Sequence, residues 1–251
     1  LTLDVSNITQ GYFVAQSDSA DLVTSLQITA PTGVLYTYFI APGENAVIPF
    51  TEGNGDYTVV GYQQIQGDQY AALYSEILTV ELENDFLPFL YPNQYVNFSP
   101  DSEASKLALS MVSEDTADVD ALKQIYNYVV NNLTYDYDKA ETVETGYLPD
   151  VDETLSTKTG ICFDYAALTT AMLRSCDIPC KLQIGYTGDI KHAWIDVYIR
   201  SKGWVTGAVS FNGDSWSLMD PTFDSSADSD DTEAIQDYIG NADNYTVQFT
   251  R

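Results

Sequence analysis

The sequence predicts an α+β chain built as two units in tandem. An all-β unit comes first; the second has helices first and an antiparallel sheet after them. Three observations predict this. Up to about residue 98, short β-branched and aromatic runs alternate with turn signals. FLPFLYPNQYVNFSP, residues 86–100, then carries three prolines and ends that pattern. Beyond it the apolar spacing becomes helical, and later returns to strand alternation.

In the first unit, residues 1–98, the runs LQITAPTGVLYTYFIAPGENAVIPF and DYTVVGYQQIQGDQYAALYSEILTVEL are punctuated by PTG, APGEN, EGNGD and QGD. Tyr74, Leu78, Val80 and Leu82 share one parity, as in a half-buried strand. Strands at this spacing predict a small β-sandwich of the immunoglobulin-like kind, although the Cys–Trp–Cys pattern of antibody domains is missing. In the second unit, residues 99–251, VDALKQIYNYVVNNL places Val119, Leu122, Ile125, Tyr126, Val129 and Leu133 on one helical face, with Asp115 and Asp118 as expected caps. A polar loop and the helix GICFDYAALTTAMLRSC follow. KLQIGYT, HAWIDVYI, GWVTGAV and SWSLMDPT then read as strands.

Composition narrows the function. With 37 acidic and 10 basic residues, the net charge is −27. Such a field repels phosphate backbones and anionic lipid surfaces, so no nucleic-acid partner is expected. The acidity reads as solubility in a salty or extracellular medium. DSSADSDD lacks the glycine of a calcium loop and reads as a solvated loop. No run approaches the roughly 18 apolar residues of a membrane span, so no direct membrane insertion is expected. The first residue is Leu1, and an upstream signal or anchor segment is expected to have been removed. One histidine and no paired CxxC make a structural zinc site unexpected; neither metal nor other cofactor is predicted.

The three cysteines, Cys162, Cys176 and Cys180, lie in one short region, which is no disulfide framework. Cys176 and Cys180 read as core cysteines, with a local bridge as the alternative. Cys162 opens a helix, where unpaired N–H groups and the helix dipole stabilise a thiolate. Gly160 is expected to let a substrate backbone come close. A buried cysteine filling core space is the alternative. The one histidine, His192, follows Cys162 by 30 residues, at the start of a period-two strand and opposite Ala193, Ile195, Val197 and Ile199. Asp220 follows 28 residues later in MDPTFD, at a strand tip set by the proline. Cysteine, histidine and aspartate in this order can supply nucleophile, general base and orienting carboxylate.

These stretches, GICFDYAALTTAMLRSCDIPCKLQIGY, HAWIDVYI with Trp204 after it, and MDPTFD, resemble the transglutaminase-like superfamily of papain-related thiol enzymes, in a bacterial secreted or surface form. The resemblance covers roughly residues 100–225. It implies a helix-borne cysteine packed on an antiparallel sheet, with the nucleophile at Cys162, the histidine at His192 and the aspartate at Asp220. Family members often add an aromatic oxyanion donor upstream. Tyr135 is the candidate here, with Tyr137 next; a packing role for Tyr135 stands beside it. Trp194 either walls the site or packs. The implied reaction is thiol-mediated acyl transfer on an amide of a protein, peptide or cell-wall peptide, with hydrolysis first. Glutamine cross-linking is one alternative. A non-catalytic cell-surface binding module is another, from a different class. An extracellular or cell-surface location is expected.

Overall fold

The fold is that of a computed structural model describing residues 1–67, 69–144, 146–205, 209–211, 216–218 and 245–251. The chain divides into two compact units, Leu1–Gln94 and Tyr95–Arg251.

The first unit is built from β1 (Thr2–Asp4), β2 (Tyr12–Gln16), β3 (Thr24–Thr29), β4 (Leu35–Ile40), β5 (Asn45–Pro49), β6 (Gly55–Gln66) and β7 (Gln69–Val80). They form an antiparallel sheet in the order β1-β2-β5 and another in the order β4-β3-β6-β7. The chain therefore crosses from one sheet to the other three times. Strand alternation sends Phe13 and Ala15 of β2, Tyr36 and Tyr38 of β4, and Tyr57 and Val59 of β6 inward. The Phe50 ring meets Phe13 at 5.4 Å and Tyr57 at 4.8 Å, so side chains of both sheets share one core. The Tyr57 hydroxyl accepts from the Glu52 N–H at 3.1 Å and donates to the Gly53 carbonyl at 2.9 Å, tying the corner before β6. Leu78 and Val80 are buried as their parity predicts, whereas Leu82 lies beyond the end of β7.

The second unit begins with α1 (Glu103–Met111) and α2 (Asp118–Asn132). The predicted face of α2 is the one buried: Leu122, Ile125, Tyr126 and Val129 are each no more than 3% exposed. The expected cap is corrected. Ala117 is the N-cap, and Asp118 is the first helical residue. Its carboxylate is drawn instead to Arg200, whose planar guanidinium offers a charged fork that a backbone N–H cannot match. β8 (Thr134–Tyr135), α3 (Tyr137–Thr142), α4 (Val151–Thr157) and β9 (Thr159–Gly160) follow. β8 pairs in parallel with β9, with Tyr135 opposite Gly160.

α5 (Cys162–Ser175) is the centre of this unit. Every residue from Asp164 to Arg174 is buried, as expected of a helix with apolar or small residues on every face, and the two charged ends of that span are buried with it. α1, α2 and α4 pack against it, and so do β10 (Cys180–Thr187) and β11 (Ile190–Ile199). With β12 (Gly203–Val205) and β15 (Tyr245–Thr250) these form an antiparallel sheet in the order β12-β11-β10-β15. β13 (Val209–Phe211) and β14 (Trp216–Leu218) form a separate antiparallel pair. The strand at 245–250 carries no turn-bounded signal that sequence reading used; it is defined by its ladder to β10.

Candidate functional site

Cys162 is the first residue of α5, directly after the N-cap Ile161, and it is a free, half-buried thiol. Its side chain packs at the edge of the core formed by α5 and the sheet. Cys176 and Cys180 are free as well. Burial pushes the Cys176 thiol up to about 11 and the Cys180 thiol up to about 12, so both are protonated, poorly reactive core groups.

His192 is 6% exposed and lies third in β11. Alternation sends Ala193, Ile195, Val197 and Ile199 into the core shared with α5, and His192, Trp194 and Asp196 to the other face. There the His192 and Trp194 rings stack at 6.2 Å and 18°, and Tyr245 of β15 closes on Trp194 at 5.0 Å. Gly185 lies opposite His192, and a Cβ on it would come within 3.0 Å of the Trp194 ring. The Trp194 Nε1 is buried without a hydrogen-bond partner among the described residues.

The connections set which ends meet. The Arg174 guanidinium, near the end of α5, donates to the Cys180 carbonyl at 2.8 Å, and Cys180 starts β10. β10 packs against α5, with about 25 Å of strand to about 20 Å of helix. β11 begins where β10 ends. Cys162 lies at the end of α5 away from Arg174, and His192, opposite Gly185, lies towards the end of the β10–β11 ladder away from Cys180. Asp220 lies outside the described residues.

Tyr135 stands beside this helix start. β8 pairs with β9 two residues before Cys162, and the Tyr135 ring lies 6.4 Å from that of Tyr165 on α5 and 4.9 Å from that of Tyr137.

Gly160 has a different reason from the one expected. A Cβ there would sit 2.6 Å from the Cβ of Asp164, so the space belongs to the chain's own carboxylate and not to a substrate. Asp164 is a site residue that sequence reading missed. Fully buried, it accepts the Ile161 N–H at 2.8 Å and the Lys139 ammonium at 2.8 Å on one oxygen, and the Tyr147 hydroxyl at 2.5 Å on the other. Its local signal was an acidic residue in the third position of a largely apolar helix. Burial alone would lower Lys139, but the Asp164 and Tyr147 contacts prevail and raise it. Burial first, then the Asp164 hydrogen bond, pushes the Tyr147 phenol up to about 12, which keeps it a donor.

A cavity of about 420 Å³ lies at the opposite end of α5, lined by Val112, Asp118, Cys176, Ile178 and Arg200 among others. It is remote from Cys162 and takes no part in this site. Among the described residues, no cluster of histidine, cysteine and carboxylate groups could hold a metal ion, and no helix is long and apolar enough to cross a membrane.

Residues 105–207 match the family model of the transglutaminase-like superfamily. The chain is similar to YebA, an uncharacterized protein of Bacillus subtilis, at 24% identity over 64% of the chain and 25% of that protein. It is similar to the UPF0252 protein MJ1282 of Methanocaldococcus jannaschii at 40% identity over 23% of the chain and 18% of that protein. It thus spans a quarter or less of these curated relatives. A Cytophaga hutchinsonii crystal structure, provisionally described as a cysteine protease, overlaps 96% of this chain and 79% of its own, at 18% identity and a TM-score of 0.47. The family match spans α5, its cysteine and the strand of the single histidine, so that residues 105–207 are similar to a transglutaminase-like core domain.

Proposed function

We propose that this chain is a thiol-dependent acyl-transfer enzyme acting on amide or peptide bonds, in which Cys162 is the nucleophile, His192 the general base and acid, and Asp220 the carboxylate that orients the imidazole. The observation that carries this reading is the free, half-buried thiol at the first residue of a central helix against which the strand of His192 packs. The Cys162 sulfur forms a bond to the carbonyl carbon, the carbon–nitrogen bond breaks, and His192 passes the thiol proton to the leaving amine. Water then cleaves the thioester, returning the thiol and releasing a carboxylic acid. The Cys162 N–H at the helix start and the Tyr135 hydroxyl are the proposed oxyanion donors.

The reading makes one geometric demand. His192 leaves β11 on the face away from the core that α5 packs into, so its ring must reach the sulfur around the end of the strand. Hydrolysis is the proposed outcome because no residue among those described marks a dedicated amine site. The acceptor is decided by which nucleophile reaches the thioester in the right geometry.

For the first unit we propose an immunoglobulin-like sandwich. The three sheet crossings and the Tyr57 corner support it: a tyrosine at the start of a strand bonded back to its preceding turn is a device of that architecture. For the whole protein we propose a cell-surface or extracellular setting, in keeping with the net charge of −27.

The experiment is to incubate the chain and its Cys162→Ala form with a pool of peptides and cell-wall fragments, add a labelled primary amine, and follow products by mass spectrometry. Cys162-dependent cleavage or ammonia release supports hydrolysis. Cys162-dependent amine incorporation exceeding it makes the protein a cross-linking enzyme. No Cys162-dependent product, together with Cys162 alkylation no faster than that of Cys176, overturns the catalytic reading in favour of a binding module.

A further inference from the structure

The start of α5 poses an electrostatic problem. A helix N-terminus is best capped by an acidic group, and Asp164 supplies one by accepting the Ile161 N–H at 2.8 Å. A nucleophilic thiol at the same terminus needs positive surroundings, and a buried carboxylate two residues away works against it. Residues i and i+2 of a helix do not face each other, so Asp164 acts on Cys162 through its field, which burial leaves poorly screened. The same side chain helps the helix and hinders the nucleophile.

Lys139 and Tyr147 answer this. The Lys139 ammonium lies 2.8 Å from one Asp164 oxygen, the Tyr147 hydroxyl 2.5 Å from the other, and the ammonium also stands 4.5 Å above the Tyr147 ring. Lys139 is itself held from below. Asp136 accepts its backbone N–H at 2.9 Å, and the Asp136 N–H donates to the Gly160 carbonyl at 2.9 Å. The hydrogen bonds thus close a ring: Gly160 to Asp136, Asp136 to Lys139, Lys139 to Asp164, and Asp164 back to Ile161 between Gly160 and Cys162. Gly160 is part of the device, since a Cβ there would displace Asp164.

We propose that Lys139, Tyr147 and Asp164 are positioning residues for Cys162, with Asp164 fixing the helix start and Lys139 cancelling the carboxylate's charge so that the cap does not suppress the thiolate. This rests on the reading of Cys162 as the nucleophile. The two parts of the device have opposite electrostatic signs, so their removal must act in opposite directions, which a purely structural role cannot produce.

The test uses the full chain and measures iodoacetamide labelling at pH 7, resolved by site, with buried Cys180 reporting whether each variant remains folded. Lys139→Met leaves the carboxylate unbalanced and should slow Cys162 labelling about tenfold. Lys139→Arg should restore most of the rate. Asp164→Asn keeps an oxygen for the Ile161 N–H, leaves the cation, and should label faster than the unmodified protein. The double variant Lys139→Met, Asp164→Asn buries no charge and should return close to the starting rate. If Lys139→Met unfolds, as Cys180 labelling would show, the Asp164→Asn and double variants still decide. The proposal is overturned if Asp164→Asn slows labelling, or if the double variant is slower than Asp164→Asn by less than twofold. Loss of Cys162-dependent turnover with this ordering intact would sink the catalytic reading alone. A wrong ordering with turnover intact sinks only the positioning role.

Discussion

Arg174 on the central helix donates through its guanidinium to the carbonyl of Arg251, 77 residues later, at 2.8 Å. The same group forks onto the Cys180 carbonyl at 2.9 and 2.8 Å. One side chain thereby fastens the end of α5 to the start of β10 and to the end of β15. Arg174 is 2% exposed, and burial pulls it down to about 10, still a cation at neutral pH.

Replacing Arg174 with Met therefore removes three charge-assisted bonds while leaving buried carbonyls short of donors. The expected loss is about 3 kcal/mol of stability. Lys at this position should recover little, because an ammonium cannot reproduce the fork. Urea unfolding of the three proteins checks this; equal midpoints would mean that water or another donor replaces the guanidinium.

Asp118 gives a pH-dependent contribution of known sign. The Arg200 hydrogen bonds hold its carboxyl below its ordinary value of 3.8, burial opposing them. A carboxylate with a lowered pKa in the folded state stabilises above the unfolded value and loses that stabilisation as pH falls through the folded one. Arg200 is 78% exposed, so water screens the pair and its contribution is small. Asp118→Asn should be less stable than the unmodified protein at pH 6, and the gap should close as pH falls below 3.8. A gap that is constant from pH 6 to pH 2 would show that the carboxylate's charge contributes nothing.

The three thiols should separate by reactivity. Burial raises Cys176 to about 11 and Cys180 to about 12, so neither offers appreciable thiolate at pH 7. Alkylation in the folded state is expected at Cys162 first, by a factor of at least ten, and His192→Ala should reduce that lead. Labelling that is unchanged in His192→Ala would contradict the pairing of the two residues.

Gly160→Ala should destabilise the second unit by about 2 kcal/mol or more, since the new Cβ falls 2.6 Å from that of Asp164. Thermal unfolding measures the loss. If the substitution is neutral while Asp164 keeps its contacts, the glycine has some other reason.

The sequence by itself settled what depends on neighbours along the chain. The apolar spacing of residues 119–133 determined α2 and its buried face, because the side-chain direction repeats with the helical turn. Alternation determined β11 and separated His192 from Ala193 in the same way. The order of cysteine and histidine motifs was enough to point to the transglutaminase-like core that residues 105–207 match. Tertiary structure decided the rest. Asp164 meets Lys139 and Tyr147 across 25 and 17 residues, and Arg174 meets Arg251 across 77. Asp118 leaves the expected cap for Arg200, 82 residues away. Periodicity is a property of local backbone geometry, whereas a buried charge takes whichever partner the packing of distant elements brings to it. That is why Gly160 could be seen as special in the sequence, yet only the buried carboxylate beside it gave the reason.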